Sequence, residues 1–591
     1  MIYYKFLIYY NVIPFIIITL AYKSLQQNSP IHENNGTFKL FHKNANIRVR
    51  INDLLFQRSH QILQNLFVWQ VQNAVIENQL QCFPEGCVTI YDFRITGVTL
   101  PKTFTLNPLP PNLLHLQMEM FDMDIQAKVN GNLQMLLGLP LTGNLIVTAR
   151  SLFMPITLEL QKTVNKVPIA HVTSCGLASG SVSAILQDAG VLTDIINIRY
   201  ANELNMKARE VVESTLCDNM NRMVSSQINS KLKKFPGFLN VYEVMKYLDQ
   251  VQKRYSRHTT HQNWFPRRFY PQRYPRQVEM EVSKTEPDIG SVKIVTPHIE
   301  RNLSDIFDFK KLKNINIYLD IIDTSSSKTD YIIGIDGNAD LIDKSSAKTY
   351  TNTFRHRNLL PNFPKNIKPK MLDVIIDGSI LNNLLHQLWR NNAFNVKIDK
   401  KFPEFQHILK TTCTLDEVCI SDSIPEVGEN YPDQFLIIKT FLTSPPTAKA
   451  NHDSIIMNIE GLSIFELEEN GKKIGQIPFT AKIIINVKFI ETSSKIKLSL
   501  EVPEIEIHNT VDFFGLEPEY LTSLKTGAVN VVQKFVNSKL SNGIDFQPFT
   551  SHLADMFGVY YPAITFLDSG ELLFQSDLDV HRLYYSPHFY Q

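Results

Sequence analysis

The chain has 591 residues, enough for two or three domains that each bury a core without outside help. Its 59 Lys and Arg residues balance 58 Asp and Glu residues, so the overall charge gives no argument for or against a nucleic-acid partner. With 44% apolar residues, the composition is that of an ordinary soluble folded protein.

The first residues predict a targeting segment. Lys5 is the only charged residue before Lys23, and residues 12–21 form an apolar run that ends in the small residue Ala21. This run is short for a membrane helix, which needs about 20 residues, and Thr19 and Ala21 fit the −3 and −1 positions of a cleavage site. We therefore predict a signal peptide at 1–21 and a secreted, extracellular protein. The alternative is an uncleaved membrane anchor.

The cysteines and sequons agree with the secretory route. Two cysteine pairs are close in sequence, Cys82 with Cys87 and Cys413 with Cys419, which leaves Cys175 and Cys217. Six cysteines allow 15 pairings, and the alternative is a set of free buried thiols. Zinc is disfavoured because no cysteine pair has the two-residue spacing of a zinc knuckle. Asn35 and Asn302 lie in sequons and are candidate glycosylation sites.

The first half combines helical and strand patterns. Apolar residues recur at helical spacing from Ile47 to about Val75. The alternation Leu114 to Met120 changes phase at Phe121, which predicts a long strand bent by a β-bulge. From about residue 186 to 235 the period becomes helical again, and its apolar stripe indicates either ordinary core packing or one wall of an apolar sleeve.

Residues 237–290 form a predicted connector between the two halves. The stretch 253–276 has seven basic residues, no acidic residue and several interleaved aromatic residues. This pattern is typical of a solvated, partly disordered insertion. The alternative interpretation is a patch for an anionic lipid or glycan, whereas nucleic acid is disfavoured in a secreted chain.

The second half is also rich in strand patterns. Ile483 to Phe489 alternate with polar residues, and a later alternation changes phase after Pro503, which again predicts a bent strand. Ser379 is a candidate helix cap for the following apolar stretch, and a second apolar helix is predicted around 521–540.

A five-residue sequence motif occurs near the end of a helical stretch in both halves, with one conservative difference. Residues 228–232 read Ile-Asn-Ser-Lys-Leu and residues 536–540 read Val-Asn-Ser-Lys-Leu. Each is followed by an exit segment with Phe and Pro, which predicts two similar modules in tandem.

Motifs of nucleotide, zinc-protease and serine-hydrolase chemistry are absent from the sequence. The closest histidine pair, His258 and His261, lies in the basic stretch without evident partners. We therefore predict a protein that is not an enzyme and that has neither a cofactor nor a metal site. A secreted hydrolase remains the third class of function, without a motif in its favour.

The stretch 217–232 resembles the end of the long helix in the first domain of the bactericidal/permeability-increasing protein family. That family includes lipopolysaccharide-binding protein and the plasma phospholipid- and cholesteryl-ester-transfer proteins. Residues 45–50 resemble its first segment, and 377–385 and 535–549 match in pattern. Cys175 and Cys217 lie where the family has its common disulfide, so the resemblance implies that they pair.

The resemblance implies an α+β boomerang of two similar domains. Each would be a long helix packed with a twisted antiparallel sheet, joined through a central sheet, with an apolar pocket for acyl chains. The expected division is a signal peptide at 1–21, a first lipid-binding domain at 30–236, the connector at 237–290 and a second lipid-binding domain at 291–591. The expected lipid contacts are Leu192, Ile195, Leu204, Val211 and Val212 in the first domain, and Leu381, Leu385, Val532 and Phe535 in the second.

The hairpin at the tip of the first domain differs from that of relatives that bind lipopolysaccharide through cations. It should span 130–143 and carries no charged residue. Its apolar residues are candidates for transient insertion into a membrane or lipoprotein surface: Leu133, Met135, Leu136, Leu137 and Leu139. The alternative is that these residues are packed inside.

These observations predict a secreted protein that sequesters or transfers phospholipid or another amphipathic lipid. The alternative is an innate-immune binder of bacterial lipopolysaccharide, disfavoured by the neutral hairpin and favoured by the basic stretch.

Overall fold

The computed structural model describes most of the chain between residues 37 and 580. The described ranges are 37–38, 45–233, 237–243, 246, 309–342, 363–507, 544–545 and 559–580, with short gaps at 85, 135–137, 164–165, 365–366, 402–405, 407–408, 415–418, 423, 491–494 and 568–569. Single residues of a helical stretch are also described between 522 and 537. The predicted signal peptide, Asn35, Asn302, the basic stretch, Met135, Leu136, Leu137, Val532 and Phe535 lie outside the described residues.

The first half is built on an eight-stranded sheet. Its two long strands, β6 (Leu113–Gln134) and β7 (Gly138–Thr163), pair antiparallel over almost their full length. The remaining strands of this sheet are β1 (Thr37–Phe38), β3 (Gln79–Phe83), β4 (Gly86–Val98), β5 (Thr103–Leu109), β8 (Pro168–Cys175) and β9 (Ser179–Gln187).

Both predicted phase changes are register shifts in the structure. In β6 the register shifts between Glu119 and Phe121, where Met120 has a positive φ of 53° and an exposed side chain. In β21 (Lys495–Ile507) the shift lies opposite Lys482 and Ile484, next to Pro503. An extra residue in one strand reverses the side-chain alternation, so the buried side chains remain on one face of each bent strand.

Three helices cover the first sheet. These are α1 (Asp53–Gln72), α2 (Leu192–Arg199) and α3 (Ala201–Met223), and α3 continues through a π-helical turn (Val224–Asn229) to Leu232. The buried stripes of α1 and α3 close one hydrophobic core, in which the rings of Phe67 and Phe121 meet edge to face with centroids 5.7 Å apart.

The predicted helix starting at Ile47 is wrong in its first six residues. Ile47–Asn52 forms strand β2, and the helix begins only at Asp53. Ile47, Val49 and Ile51 alternate with polar residues at period two, and strands pair with β2 on both of its sides. That pairing outweighs the helical spacing of the same apolar residues.

A six-stranded central sheet contains β2 in its middle. The strand order is β12 (Ile321–Ser326), β13 (Asp330–Ile335), β2, β15 (Leu372–Ile376), β24 (Leu572–Leu578) and β23 (Val559–Phe566). The beginning of the chain is therefore hydrogen-bonded between strands that lie about 280 and 320 residues later.

The second half has two further sheets and its own helix. The seven-stranded sheet contains β16 (Val396–Ile398), β17 (Leu436–Leu442), β18 (Thr447–Ala450), β19 (Ser454–Leu467), β20 (Lys473–Ile490), β21 and β22 (Ile544–Asp545). A three-stranded sheet contains β10 (Phe238–Asn240), β11 (Ile315–Tyr318) and β14 (Ala339–Leu341). Helix α4 (Ser379–Arg390) packs into a large second core, and a short α5 (Pro425–Asn430) lies beside a smaller core.

The cap of α4 differs from the prediction. The helix begins at Ser379, but the carboxylate of Asp377 accepts the hydrogen bond of the Ser379 backbone N–H at 2.7 Å. Ser379 is thus the first helical residue rather than its cap, because the preceding aspartate reaches the same free N–H groups.

A buried carboxylate joins three strands of the central sheet. Asp373 of β15 is fully buried and forms an ion pair with Arg50 of β2, with 2.6 Å between Arg50 Nη2 and Asp373 Oδ2. Asn52 also donates to Asp373 Oδ2 at 2.7 Å, and Gln575 of β24 donates to Oδ1 at 2.9 Å. The charge of this carboxylate is therefore paired and fully hydrogen-bonded across β2, β15 and β24.

Replacement of Asp373 tests this cluster. Asp373→Ala should lower the free energy of unfolding by about 3–5 kcal/mol, because it leaves the mostly buried Arg50 cation without its partner. Urea denaturation of the full chain measures the change. The control is Glu210→Ala, which removes the partner of Lys207 on the surface of α3 and should leave the unfolding midpoint almost unchanged. Equal effects of the two substitutions would contradict the structural role of the cluster.

Candidate functional site

The apolar seam between α3 and the first sheet is the best candidate site in the described first half. We call the contact between the buried face of α3 and strands β4 and β7 the α3 seam. On α3 it comprises Leu204, Ala208, Val212 and Leu216, which repeat at helical spacing and are buried against the sheet. These four side chains are apolar and extend over about three helical turns.

The α3 seam contains a small cavity of about 20 Å³. Its walls are Ile90 and Phe93 of β4, Leu145 and Val147 of β7, and Leu204, Ala208 and Val211 of α3, with the polar residues Gln81 and Lys207 at its margin. This volume is about that of one water molecule, whereas pockets for organic ligands measure about 300–1,000 Å³. The two sides of the seam are therefore in nearly complete contact.

Of the five expected first-half contacts, three lie in this core and a fourth, Val211, lines the cavity. Leu192, Leu204 and Val212 are buried, Val211 is partly buried, and Leu204 and Val211 line the cavity. Ile195 is different, because 39% of its surface is exposed and it does not line the cavity. Its helical spacing alone did not show which side of the short helix α2 faces outward.

The second core contains the two described residues of the second set. Leu381 and Leu385 are buried on α4 against the second-half strands. Beside them, burial and then the nearby Arg390 lower the pKa of His386, so its neutral imidazole is favoured at neutral pH. We call the apolar surroundings of α4 in this core the α4 seam.

Asparagine side chains attach the helices to the edges of the sheets. In the first copy of the repeated motif, the side-chain N–H of Asn229 donates to the carbonyl of Ala170 at 3.0 Å. The side-chain oxygen of Asn229 accepts from the backbone N–H of Ala170 at 2.7 Å. Asn537 makes the same pair of bonds to Leu500, at 2.9 and 2.8 Å. The repeat therefore has a structural meaning, since in each half its amide takes the place of a neighbouring strand at an open sheet edge.

Two more asparagines make the same two-point contact. Asn197 of α2 pairs with the backbone of Leu186 in β9, at 2.8 and 2.9 Å. Asn382 of α4 pairs with Ala448 in β18, at 2.9 and 2.7 Å. We call these four residues the asparagine clamps. The repeated motif contains two of them, Asn229 and Asn537, but the sequence alone did not indicate what the asparagine does.

An exposed apolar stripe lies at one end of the first sheet. Val191, Ile195 and Ile198 follow helical spacing on α2, and Val191 and Ile198 expose 86% and 81% of their surfaces. The end of β9 pairs with Asn144 of β7, six residues from the start of β7 at the predicted tip hairpin, or about 20 Å along the strand. Of that hairpin, the structure describes the pairing of Leu133 with Leu139.

An open polar groove of about 390 Å³ crosses the second-half sheet. Its described lining includes Glu460, Lys482 and Glu504 on neighbouring strands. Charged groups at its surface suit water better than hydrocarbon, so this groove is a poor candidate for apolar ligands. Strand alternation alone did not predict it.

The six cysteines form three disulfides. The bonds are Cys82–Cys87, Cys175–Cys217 and Cys413–Cys419. Cys175–Cys217 joins the end of β8 to α3 and so fixes the helix on the sheet beside the α3 seam. None of the helices in the described parts of the chain is long and apolar enough to cross a membrane.

Residues 343–555 match the sequence model of the LBP / BPI / CETP family, C-terminal domain. The match assigns this part of the second half to the C-terminal domain of that family. No curated protein sequence matches the chain.

Solved structures similar to this chain include lipopolysaccharide binding protein, at 11% identity over 91% of this chain and 99% of that one, with a TM-score of 0.38. P47 of Clostridium botulinum E1 is 8% identical over 92% and 100% of the two chains, with a TM-score of 0.30. Takeout 1 of Epiphyas postvittana is 10% identical over 31% and 89%, with a TM-score of 0.20. These scores are all below 0.5, so we draw no argument about function from them.

The disulfide beside the α3 seam should stabilise the first half of the protein. Cys175–Cys217 spans 42 residues, and the chain-entropy model gives about 4 kcal/mol for a loop of that length. Cys217→Ser should therefore lower the thermal midpoint and the secretion yield. The double variant Cys82→Ser, Cys87→Ser opens a five-residue separation and should cost less. A larger loss from the short loop than from Cys217→Ser would contradict this ranking.

Proposed function

We propose that this chain is a secreted lipid-binding protein that sequesters or transfers phospholipid-like molecules in its apolar seams. The observation that carries the proposal is the α3 seam, a largely apolar contact between a long helix and a sheet with a small cavity in it. The match of residues 343–555 to the C-terminal domain of the LBP / BPI / CETP family supports the same conclusion, and so does the predicted signal peptide.

The energy for binding would come from desolvation of the lipid chains. Each methylene removed from water contributes about 0.8 kcal/mol, so two acyl chains can offset the loss of their contacts in a membrane. Covalent chemistry is not required. The protein would act by offering hydrocarbon in place of a bilayer, and the lipid would leave chemically unchanged.

Lipid uptake requires the seam to widen, because a cavity of about 20 Å³ holds no acyl chain. The asparagine clamps and the Cys175–Cys217 bond hold α2 and α3 at the strand edges. The contact between these attachments is apolar and non-directional. An acyl chain can replace such contacts with equivalent ones while the polar attachments persist.

The exposed stripe on α2 and the neutral hairpin support docking on a lipid surface. Both lie at the same end of the first sheet, and the stripe presents Val191 and Ile198 to solvent. Apolar side chains on an amphipathic element enter the interface between headgroups and acyl chains. The second candidate, binding of an anionic lipopolysaccharide, is favoured by the seven basic residues within 253–276.

A substitution at the cavity tests the binding site. Val211→Trp places a large ring at the cavity wall and should reduce the amount of lipid that co-purifies with the protein. The matched control is Val75→Trp, the same substitution at a residue that is exposed by 71% and belongs neither to the cavity lining nor to the exposed stripe, which should leave the bound lipid unchanged. Thermal unfolding establishes that both variants fold. Equal lipid content in both folded variants would show that the α3 seam is ordinary core.

A second experiment separates apolar docking from binding through cations. Transfer of phospholipid between neutral vesicles is measured at low and high salt, because salt shortens the Debye length from about 10 Å at 0.1 M to about 3 Å at 1 M. Docking through the hairpin should survive high salt, and Leu136→Asp with Leu137→Asp should slow transfer without emptying the protein of lipid.

Deletion of 253–276 is the complementary variant. It should leave transfer between neutral vesicles intact. If the deletion abolishes binding and the double aspartate variant behaves like the wild type, the apolar hairpin is not the docking element and the lipopolysaccharide alternative is favoured.

A further inference from the structure

A buried amide without a full set of partners lies on the buried face of α3, beyond the cavity. Asn219 of α3 exposes only 3% of its surface. Its Nδ2 donates to the backbone carbonyl of Thr215 at 2.7 Å, which fixes the orientation of the amide. Its Oδ1 is buried, and no donor within the described part of the chain reaches it. An acceptor held out of water in this way is unfavourable unless a donor is supplied.

Asn219 belongs to the same helix face as the cavity. It follows Val212 by seven residues and Ala208 by eleven, which places the three residues on one side of α3 at intervals of two and three turns. Ala208 is a wall of the cavity, and Asn219 lies about 16 Å further along the helix at 1.5 Å per residue. A ligand that follows the α3 seam from the cavity would reach the free Oδ1.

The α4 seam contains a second such amide. Gln387 of α4 is fully buried, and neither its Nε2 nor its Oε1 has a hydrogen-bond partner in the described residues. It shares a helix face with the buried residues Ile380 and Leu384, seven and three positions earlier. Each of the two helices expected to contact lipid therefore carries one buried amide whose acceptor is free.

We infer that these amides recognise a lipid that donates a hydrogen bond from the junction between its headgroup and its chains, as the amide N–H and hydroxyl of a sphingoid backbone do. The inference rests on the proposed lipid binding and specifies its substrate class. The chemical reason is one of polarity, because Asn219 Oδ1 and Gln387 Oε1 are acceptors and need donors. The ester groups of a glycerophospholipid supply only acceptors, so they could pair with the free Nε2 of Gln387 but with neither of the two oxygens.

The preference for one lipid backbone over the other equals the difference in binding free energy between a buried amide oxygen with a hydrogen-bond donor and one without. A site built around a hydrogen-bonding ligand disfavours an analogue that lacks the matching group, because the polar atom of the protein then stays unpaired. Either backbone could place its chains in the seams, so total lipid uptake depends on the apolar walls. The two amides would decide which backbone is retained.

The test uses sphingomyelin and phosphatidylcholine of matched chain length, because both have the same phosphocholine headgroup. The full-length protein is incubated with vesicles that contain the two lipids in equal amounts and is re-isolated, and its lipid is extracted and quantified by mass spectrometry. We expect sphingomyelin to be enriched over its share in the vesicles by about two- to tenfold, the effect of one neutral hydrogen bond.

Two variants replace the amides by apolar side chains of similar shape or length. Asn219→Leu and Gln387→Met should each reduce the enrichment, and the double variant should approach the ratio of the vesicles. Replacing an unsatisfied buried amide by hydrocarbon is not expected to unfold the protein, and thermal unfolding verifies this. The control is Asn221→Leu on the exposed side of α3, which should keep the wild-type ratio.

The outcomes separate this inference from the proposed function. Uptake of both lipids at the vesicle ratio by the wild type would overturn the inference and leave lipid binding intact. An enrichment that is unchanged in the double variant would also overturn it, because the selectivity would then come from other residues. Uptake of neither lipid would contradict the proposed function itself.

Discussion

The position of β2 in the middle of the central sheet is the constraint on which the rest of the structure depends. This strand comes from the beginning of the chain and is hydrogen-bonded on one side to β13 and on the other to β15. The first-half helix α1 begins directly after it. The ion pair of Arg50 with the buried Asp373 adds a directional contact to the backbone ladder. The two halves are therefore joined by a sheet that neither half can complete alone.

In both halves of the protein, polar contacts fix the positions of the helices, and apolar contacts fill the space between helix and sheet. Amides of Asn197, Asn229, Asn382 and Asn537 fix helices at sheet edges through paired backbone hydrogen bonds. Such bonds are directional and tolerate little displacement. The seams between these attachments are hydrocarbon, which can exchange one apolar neighbour for another at small cost. This division allows a helix to keep its register on the sheet while a ligand enters beside it.

The sequence was most informative where an apolar alternation extended over many residues. The phase changes at Phe121 and after Pro503 predicted two bent strands, and both are register shifts in the structure. Short segments were less certain, because Ile47–Asn52 satisfies both a helical and a strand spacing and only its partners from distant parts of the chain decide between them. The cap of α4 differed for a similar reason, since Asp377 and Ser379 both have side chains suited to that position.

The sequence predicted which helices supply buried apolar residues to the candidate site, but not the contacts of individual side chains. Helical spacing placed Leu204 and Val212 in the first core, but it could not show that Ile195 faces outward on a two-turn helix. The unsatisfied amides of Asn219 and Gln387 depend on which groups surround them in three dimensions, and no sequence pattern reports that. The repeated motif indicated duplication, but only the hydrogen bonds to Ala170 and Leu500 show that its asparagine attaches a helix to a strand.

The central claim is that the apolar seams hold lipid, and native mass spectrometry of the full-length protein isolated from the medium of expressing cells tests it most directly. The account predicts a species heavier than the covalent mass of the protein by the mass of one or more lipids, with the same lipids recovered by solvent extraction. A spectrum that shows only the lipid-free polypeptide, together with an extract without lipid, would contradict it.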